Sequence, residues 1–195
     1  MDKKIILSDT KITTDKILFF DMDGTLIDTN LANFLSYMAA INSITKSAPN
    51  IIYHPDKRFS RSNLKNAIPN LSRIEFEQII LAKEEYYNDF LPENKLIKET
   101  SDILFKYYRT NKTILVTNCR KNRAMITLKY FGIEDKFSNI FCREFCKKNK
   151  KVNKFHNAII KLGITPNLII AFENEESEIA DAMEAGIKII NPIIF

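Results

Sequence analysis

The chain contains few cysteines and has no long apolar run. Its three cysteines, Cys119, Cys142 and Cys146, cannot all pair, and the last two lack the companion pair that a structural zinc site needs. We therefore expect reduced thiols, as in a cytoplasmic protein. The N-terminal segment lacks the apolar core of a signal peptide, and no stretch is long enough to cross a bilayer. We expect no membrane partner.

Positive charge is in moderate excess but is not concentrated. The 195 residues carry a formal net charge of +5, and no arginine-rich or aromatic-interleaved tract is present. A nucleic-acid partner is therefore not expected, whereas an anionic small ligand would suit the charge. The densest basic run, 147–151, is typical of a solvated loop. The length allows one domain with a smaller inserted module.

Short apolar runs alternate with helical periodicity through most of the chain. Helical segments at 123–131, 152–162 and 176–185 are each followed by a glycine, where a helix commonly ends in a left-handed residue. Strands alternating with helices favour a parallel sheet with helices on both faces, the three-layer α/β class called Rossmann-like. The apolar runs predicted as buried strands are 17–20, 113–116, 140–142, 168–172 and 187–190.

The segment 29–97 has a different pattern. No strand alternation is evident, while 31–41 and 74–90 have helical spacing of apolar residues. Ser72 and Glu75 form a capping box at the start of the second series, and Pro92 is expected to end that helix. A further helix over 94–108 leads back into the sheet. The predicted organisation is an α/β core at 1–28 and 98–195 with an all-helical insertion at 29–97.

Polar residues directly follow the first predicted strand. Asp21 and Asp23 are two residues apart, so in an extended segment both carboxylates face the same side. Gly24 then lets the backbone turn sharply. Ligands of open α/β sheets bind at the carboxyl ends of strands, which makes this pair a candidate site. The alternative is that the two aspartates only cap a turn.

Two further strand ends carry similar chemistry. Thr117 and Asn118 follow the second run, where a hydroxyl, an amide and exposed backbone N–H groups can hold phosphate oxygens. Glu173 and Asn174 open an acidic cluster after the fourth run, and oxygen ligands of this kind suit Mg2+. The cluster could instead be a negatively charged first helical turn.

The order of these elements resembles the haloacid dehalogenase-like (HAD) superfamily of phosphohydrolases. The resemblance covers about 16–191, and the insertion matches only by its position and helical character. The segment 19–29, with D-M-D-G-T, looks like the first motif of that superfamily, 114–118 looks like the second, and Glu173-Asn174 with 185–187 is similar to the fourth.

The resemblance implies a role for each strand-end residue. Asp21 would attack phosphorus to form an aspartyl-phosphate, and Asp23 would protonate the leaving oxygen and then activate water. Thr117 and Asn118 would bind the phosphoryl group. The Asp at position 23 disfavours dehalogenases, which have no leaving alkoxide to protonate, and P-type ATPases, which have Thr there.

The resemblance also implies a Mg2+ cofactor. Its ligands would be Asp21, the Asp23 carbonyl, Glu173 and Asn174. The commonest form of the fourth motif has aspartates where this chain has Asn174 and Glu178. Asn174 can still bind a metal through its carbonyl oxygen but lacks the charge. Glu173-Asn174 is closest to the Glu-Asp variant of the β-phosphoglucomutase-like branch.

The third motif of the superfamily is a lysine. Counting back from Gly163, Lys151 falls in the register of members whose lysine opens the helix before the fourth motif. Lys151 is the predicted residue, and Lys150 and Lys154 are the alternatives.

The function implied is a Mg2+-dependent phosphatase that acts on a small phosphorylated metabolite. The insertion occupies the first cap position of the superfamily, which usually covers the site and selects the substrate. A β-phosphoglucomutase-like phosphomutase and a non-catalytic binding protein on the same scaffold are the alternatives. The sequence does not indicate an oligomeric state.

Overall fold

The computed structural model describes residues 11–46, 50–144 and 152–191. The chain divides into two compact units, one formed by Met1–Leu26 with Ile97–Phe195 and the other by Ile27–Leu96. The division predicted from the sequence, a core at 1–28 and 98–195 with an insertion at 29–97, stays a prediction.

Short strands and helices alternate through the described residues. The strands are β1 (Ile17–Phe20), β2 (Ile27–Asp28), β3 (Lys95–Leu96), β4 (Lys112–Val116), β5 (Asn139–Phe141), β6 (Ile169–Phe172) and β7 (Ile189–Ile190). The α-helices are α1 (Asn30–Thr45), α2 (Arg61–Ala67), α3 (Arg73–Tyr86), α4 (Lys98–Tyr107), α5 (Lys121–Tyr130), α6 (Lys154–Leu162) and α7 (Glu176–Glu184). Short 3-10 helices span Tyr87–Glu93, Glu134–Lys136 and Pro166–Leu168.

The first unit is built on a parallel sheet of five strands in the order β5-β4-β1-β6-β7. Every neighbouring pair in this sheet is parallel. From β1 the chain builds the sheet outward in both directions, through β4 and β5 on one side and through β6 and β7 on the other. The carboxyl end of β1 is therefore a topological switch point, and α/β sheets bind ligands at such points.

Both faces of the sheet are covered, which explains why the strands are continuous apolar runs. On one face Phe19 of β1 and Ile114 of β4 join Phe155 of α6 and Ala182 of α7 in a single buried cluster. On the other face Phe20 stacks on Phe172 with ring centroids 4.8 Å apart. The three-layer Rossmann-like α/β class predicted from the sequence is confirmed.

The second unit is mainly helical. Ser72 caps α3 as predicted: its hydroxyl accepts a hydrogen bond from the Glu75 N–H, and the Glu75 carboxylate accepts one from the Ser72 N–H. The two ends of the unit pair as β2 and β3, with Ile27 opposite Leu96. The core of this unit consists of buried residues from three helices: Tyr37, Ala40, Ile41, Leu64, Ile79 and Ile80.

Several details of this unit differ from the sequence prediction. Helix α3 ends at Tyr86, and Pro92 lies inside the 3-10 helix that follows rather than ending α3 itself. Helix α4 starts at Lys98 because the preceding residues pair with β2. Helix α2 was not predicted, since its seven residues bury only Leu64 and show no periodicity. Within the described ranges, no helix is both long and apolar enough to cross a membrane.

Candidate active site

Three of the predicted strand-end segments meet at the carboxyl end of β1. Asp21 follows β1, Thr117 follows β4 and Glu173 follows β6, and β4 and β6 are the two neighbours of β1. Phe20 pairs with Phe172 at the end of the register, and the Asp21 N–H donates to the Phe172 carbonyl at 3.0 Å. Asp21 and Glu173 are therefore level with each other, one residue beyond the last pair.

Lys154 bridges these two carboxylates. Its Nζ lies 2.6 Å from Asp21 Oδ1 and 2.6 Å from Glu173 Oε2. Glu178 of α7 is a third anionic neighbour, with its Oε2 3.6 Å from the same nitrogen. The Lys154 side chain is only 5% exposed. One buried cation thus faces three buried carboxylates, which leaves this part of the site with an excess of negative charge.

The position of Lys154 follows from how α6 begins. Asn153 is the N-cap residue, and its side-chain oxygen accepts hydrogen bonds from the N–H groups of Phe155 and His156, each at 3.0 Å. Its amide nitrogen donates to the Asp181 carbonyl at 2.8 Å, which ties the start of α6 to α7. Asparagine is a preferred N-cap residue. Lys154 is therefore the first helical residue, held where its side chain reaches the strand ends.

Burial and charge shift the titration of this pair. Burial raises the pKa of Asp21 to about 7, although the neighbouring Lys154 ammonium acts to lower it. Burial acts to lower the pKa of Lys154, but Asp21 and Glu173 outweigh this effect and raise the pKa above its ordinary range. The two carboxylates thus favour the charged form of Lys154, whereas burial works against the ionised form of Asp21.

The Glu173 carboxylate is held rigidly. Its Oε1 accepts hydrogen bonds from the N–H groups of Asn174 at 2.9 Å and Glu175 at 3.1 Å, while Oε2 faces Lys154. The Glu173 N–H in turn donates to Asn191 Oδ1 at 2.9 Å. The loop after β6 is thus ordered around this side chain, which is 1% exposed.

The first motif and the acidic loop are in direct contact. Thr25 Oγ1 donates to Asn174 Oδ1 at 2.8 Å. Gly24 has φ of +84°, and a Cβ at this position would lie 2.7 Å from Asn174 Nδ2. Glycine is required here for two reasons, the left-handed backbone and the closeness of the Asn174 amide.

Thr117 and Asn118 lie beside this cluster. Thr117 is 1% exposed, and its Oγ1 accepts a hydrogen bond from the Cys119 N–H at 3.1 Å. Asn118 Nδ2 donates to Glu178 Oε2 at 2.8 Å. Since Glu178 also faces Lys154, this contact connects the second motif to the lysine and to α7. The sequence analysis placed Glu178 at a position of the fourth motif that is commonly aspartate, but it did not predict Glu178 as a ligand or a catalytic residue.

Asp23 is paired with a residue that the sequence analysis missed. Arg123 Nη2 lies 3.0 Å from Asp23 Oδ2, and the two side chains are 10% and 14% exposed. Arg123 Nε also contacts Cys119 Sγ at 2.9 Å. The sequence places several cations near the start of the helix after β4. Local pattern did not distinguish Arg123 from its neighbours Arg120 and Lys121.

Of the predicted site residues, the structure brings together Asp21, Glu173 and Asn174 with their neighbours Thr117 and Asn118. Lys150 and Lys151 lie outside the described residues. Lys154, which the sequence analysis left as an alternative, is the lysine in contact with Asp21. Cys119 and Cys142 are not in disulfide bonds, and Cys146 also lies outside the described residues.

The donor atoms of the site suit Mg2+. Across 11–46, 50–144 and 152–191, no group of three or more His, Cys, Asp or Glu side chains is arranged to hold a metal ion. Asp21 and Glu173 nevertheless supply two carboxylates, and Asn174 adds an amide oxygen. Mg2+ retains several waters and needs only one or two carboxylates from protein. The oxygen-only set therefore fits this ion.

The chain belongs to the haloacid dehalogenase-like hydrolases, because the model of that family matches residues 18–191. A relative from Thermotoga maritima, described as a phosphorylated carbohydrates phosphatase, is 22% identical over an alignment of 188 residues that covers 91% of this chain and 84% of the relative. The family match and this phosphatase relative confirm the expectation of a HAD-like phosphohydrolase.

Solved structures share the fold. The structure of a predicted phosphoglycolate phosphatase from Haemophilus somnus has a TM-score of 0.70 at 22% identity and covers 92% of this chain and 85% of its own. CbbY from Rhodobacter sphaeroides, solved with phosphate, has a TM-score of 0.72 at 15% identity, with coverages of 91% and 86%. At these identities the likeness shows the fold.

Proposed function

We propose that this protein is a Mg2+-dependent phosphatase that hydrolyses a small phosphorylated metabolite through an aspartyl-phosphate on Asp21. The observation that carries the proposal is the buried contact of Lys154 with both Asp21 and Glu173 at the carboxyl ends of β1 and β6. A carboxylate nucleophile, a fixed cation and an anionic metal ligand are the groups that phosphoryl transfer needs at one point.

In the first step, a carboxylate oxygen of Asp21 forms a bond to phosphorus while the ester P–O bond breaks. The electron pair of that bond leaves with the alkoxide oxygen, which takes a proton from the Asp23 carboxyl. In the second step, water gives a proton to the Asp23 carboxylate and its oxygen attacks phosphorus. The bond to Asp21 breaks, inorganic phosphate leaves, and both aspartates return to their starting forms.

Other residues orient the phosphoryl group. Thr117, Asn118 and the backbone N–H groups after β4 would bind its oxygens, and Lys154 would oppose the negative charge that develops on them. Lys151, the lysine predicted from the sequence, stays a candidate for the same role. We favour Lys154 because of its contacts.

Mg2+ would be held by Asp21, the Asp23 carbonyl, Glu173 and Asn174. When bound, it supplies charge neutralisation for the phosphoryl oxygens. The excess of carboxylates over cations around Lys154 supports this assignment, since a divalent cation would compensate the negative charge beside Asp21.

The substrate class is supported by two observations. The Thermotoga maritima relative is described as acting on phosphorylated carbohydrates. In the chain order, the Ile27–Leu96 unit is inserted between the first and second motifs, where members of the superfamily carry a substrate-selecting cap. A small phosphate ester is therefore the proposed substrate.

The test is phosphate release from p-nitrophenyl phosphate and a panel of sugar phosphates, with Mg2+ or with EDTA. We expect Mg2+-dependent hydrolysis that Asp21→Asn reduces by about 1,000-fold or more, because the nucleophile is lost. The control is Asp135→Asn, whose side chain is 71% exposed and pairs with Lys136. Activity that survives Asp21→Asn would contradict the mechanism.

The same assay separates the alternatives. A phosphomutase would convert one sugar phosphate into its isomer and would depend on a bisphosphate activator. Binding of phosphate esters without turnover by the wild-type protein would show a non-catalytic member of the superfamily. Either outcome would replace the phosphatase assignment.

A further inference from the structure

Arg123 and Asp23 form an ion pair at the edge of the candidate active site. The Arg123 Nη2 to Asp23 Oδ2 distance is 3.0 Å, and both side chains are largely buried. Arg123 is in the first turn of α5, the helix that follows β4 and the second motif. The pair therefore connects the loop after β1 with the helix after β4.

Arg123 is itself held from a second side. Its Nε donates to Cys119 Sγ at 2.9 Å, and Cys119 is 2% exposed. The Cys119 N–H donates to Thr117 Oγ1 at 3.1 Å. A continuous series of contacts thus runs from Asp23 through Arg123 and Cys119 to Thr117, which fixes the guanidinium relative to the phosphate-binding strand end.

A guanidinium held in this way restricts the carboxylate it contacts. Its Nη2 donor sets the distance and the direction of Asp23 Oδ2, so the proton that Asp23 transfers belongs on Oδ1, whereas a lysine would act as a point charge. A proton donor works only within hydrogen-bond reach of the leaving oxygen, and small displacements reduce the rate strongly. We infer that Arg123 is a positioning residue that holds the Asp23 carboxyl within hydrogen-bond reach of the leaving-group oxygen. This inference rests on the proposed phosphatase function.

This role predicts a dependence on the leaving group. When the ester P–O bond of an alkyl phosphate breaks, the leaving oxygen must receive the proton of Asp23, because an unprotonated alkoxide is a poor leaving group. A p-nitrophenolate leaves without protonation. If the Asp23 carboxyl is displaced from the leaving oxygen, the first step should therefore slow far more for an alkyl phosphate than for p-nitrophenyl phosphate.

The experiment compares kcat/KM for glycerol phosphate and p-nitrophenyl phosphate in Arg123→Gln, Arg123→Lys and the wild type, all with Mg2+. We expect Arg123→Gln to lose about tenfold more kcat/KM on the alkyl ester than on the aryl ester, and Arg123→Lys to recover part of that difference. The control is Lys129→Gln, an exposed cation of the same helix, which should leave both values unchanged. Equal losses on the two esters, or no loss, would overturn the inference.

A second comparison tests whether Arg123 acts through Asp23. In an Asp23→Asn background, adding Arg123→Gln should change kcat/KM for glycerol phosphate by less than about twofold, because the residue to be positioned is already lost. A full additive loss would overturn the inference. If the wild type hydrolyses neither ester nor any sugar phosphate of the panel, the proposed function itself fails; an active wild type with equal losses in Arg123→Gln rejects only the role of Arg123.

Discussion

Lys154 Nζ lies 2.6 Å from Asp21 Oδ1, although the two residues are 133 positions apart in the chain. The same nitrogen is 2.6 Å from Glu173 Oε2. The three groups belong to the first helical turn of α6 and to the ends of two adjacent strands. A buried charged cluster of this kind depends on all of its members, because removing one leaves the others without compensation.

Replacing the lysine is expected to affect both activity and stability. Lys154→Met leaves Asp21 and Glu173 facing each other in a buried site, so phosphate release should fall by about 100-fold or more and the free energy of unfolding without Mg2+ should fall by about 3 kcal/mol. Thermal unfolding and phosphate release measure the two effects.

Two matched variants accompany this test. Lys161→Met removes an exposed lysine of the same helix, which pairs with Glu144 at the surface, and should have little effect on either measurement. Lys151→Met tests the residue predicted from the sequence. If Lys151→Met loses activity while Lys154→Met retains it, the assignment of Lys154 is wrong.

The Mg2+ requirement is expected to depend on position 174. Asn174→Asp adds a negative charge to the loop while keeping an oxygen that can accept from Thr25, so the Mg2+ concentration for half-maximal activity should fall by about tenfold. Asn174→Leu should raise it. Titration of activity with Mg2+, together with calorimetric Mg2+ binding, measures the change. An unchanged requirement in both variants would show that Asn174 is not a ligand.

Gly24 is expected to be far less tolerant of substitution than Gly132. Both have positive φ, +84° and +63°, but a Cβ meets the Asn174 amide only at Gly24, and nothing lies within 4 Å at Gly132. Gly132→Ala should lower the free energy of unfolding by about 1 kcal/mol through backbone strain alone. Gly24→Ala should lower it by about 2–3 kcal/mol and should also lower activity. Denaturant unfolding and Mg2+-dependent phosphate release distinguish the two. Equal costs would contradict the steric explanation.

The N-cap of α6 is expected to matter for catalysis as well as for stability. Asn153→Ala removes the cap that starts the helix at Lys154, so the free energy of unfolding should fall by about 1 kcal/mol. Because Lys154 is then less precisely placed, phosphate release should fall by about tenfold. Ser60→Ala removes a cap of α2 in the helical unit, where Ser60 Oγ accepts from the Asn63 N–H at 3.2 Å. This control should cost similar stability with little loss of activity. A similar loss of activity in both variants would point to general destabilisation.

Much of the fold was predictable from local pattern. The strand 17–20 was predicted with the bounds that β1 has, because an apolar run in a covered parallel sheet is both distinctive and sharply ended by Asp21. The second unit was harder to predict. Strands β2 and β3 have two residues each, and so short a pair has no alternation to detect.

The sequence by itself determined the order of the strand-end residues, and with it the family: Asp21 and Asp23 after one strand, Thr117 after the next and Glu173 after a later one. These residue types follow buried runs that pair in one sheet, so local chemistry was enough to identify them. Choosing among neighbouring lysines was not possible by this route, because Lys150, Lys151 and Lys154 differ little in sequence context.

Only the tertiary structure decided which long side chains reach the site. Lys154 contacts Asp21 because the Asn153 cap fixes the first turn of α6, and Arg123 contacts Asp23 because α5 follows β4, the strand next to β1. Both contacts join residues at least 100 positions apart. Their formation depends on strand order and helix placement, which bring distant segments together and which no local spacing encodes.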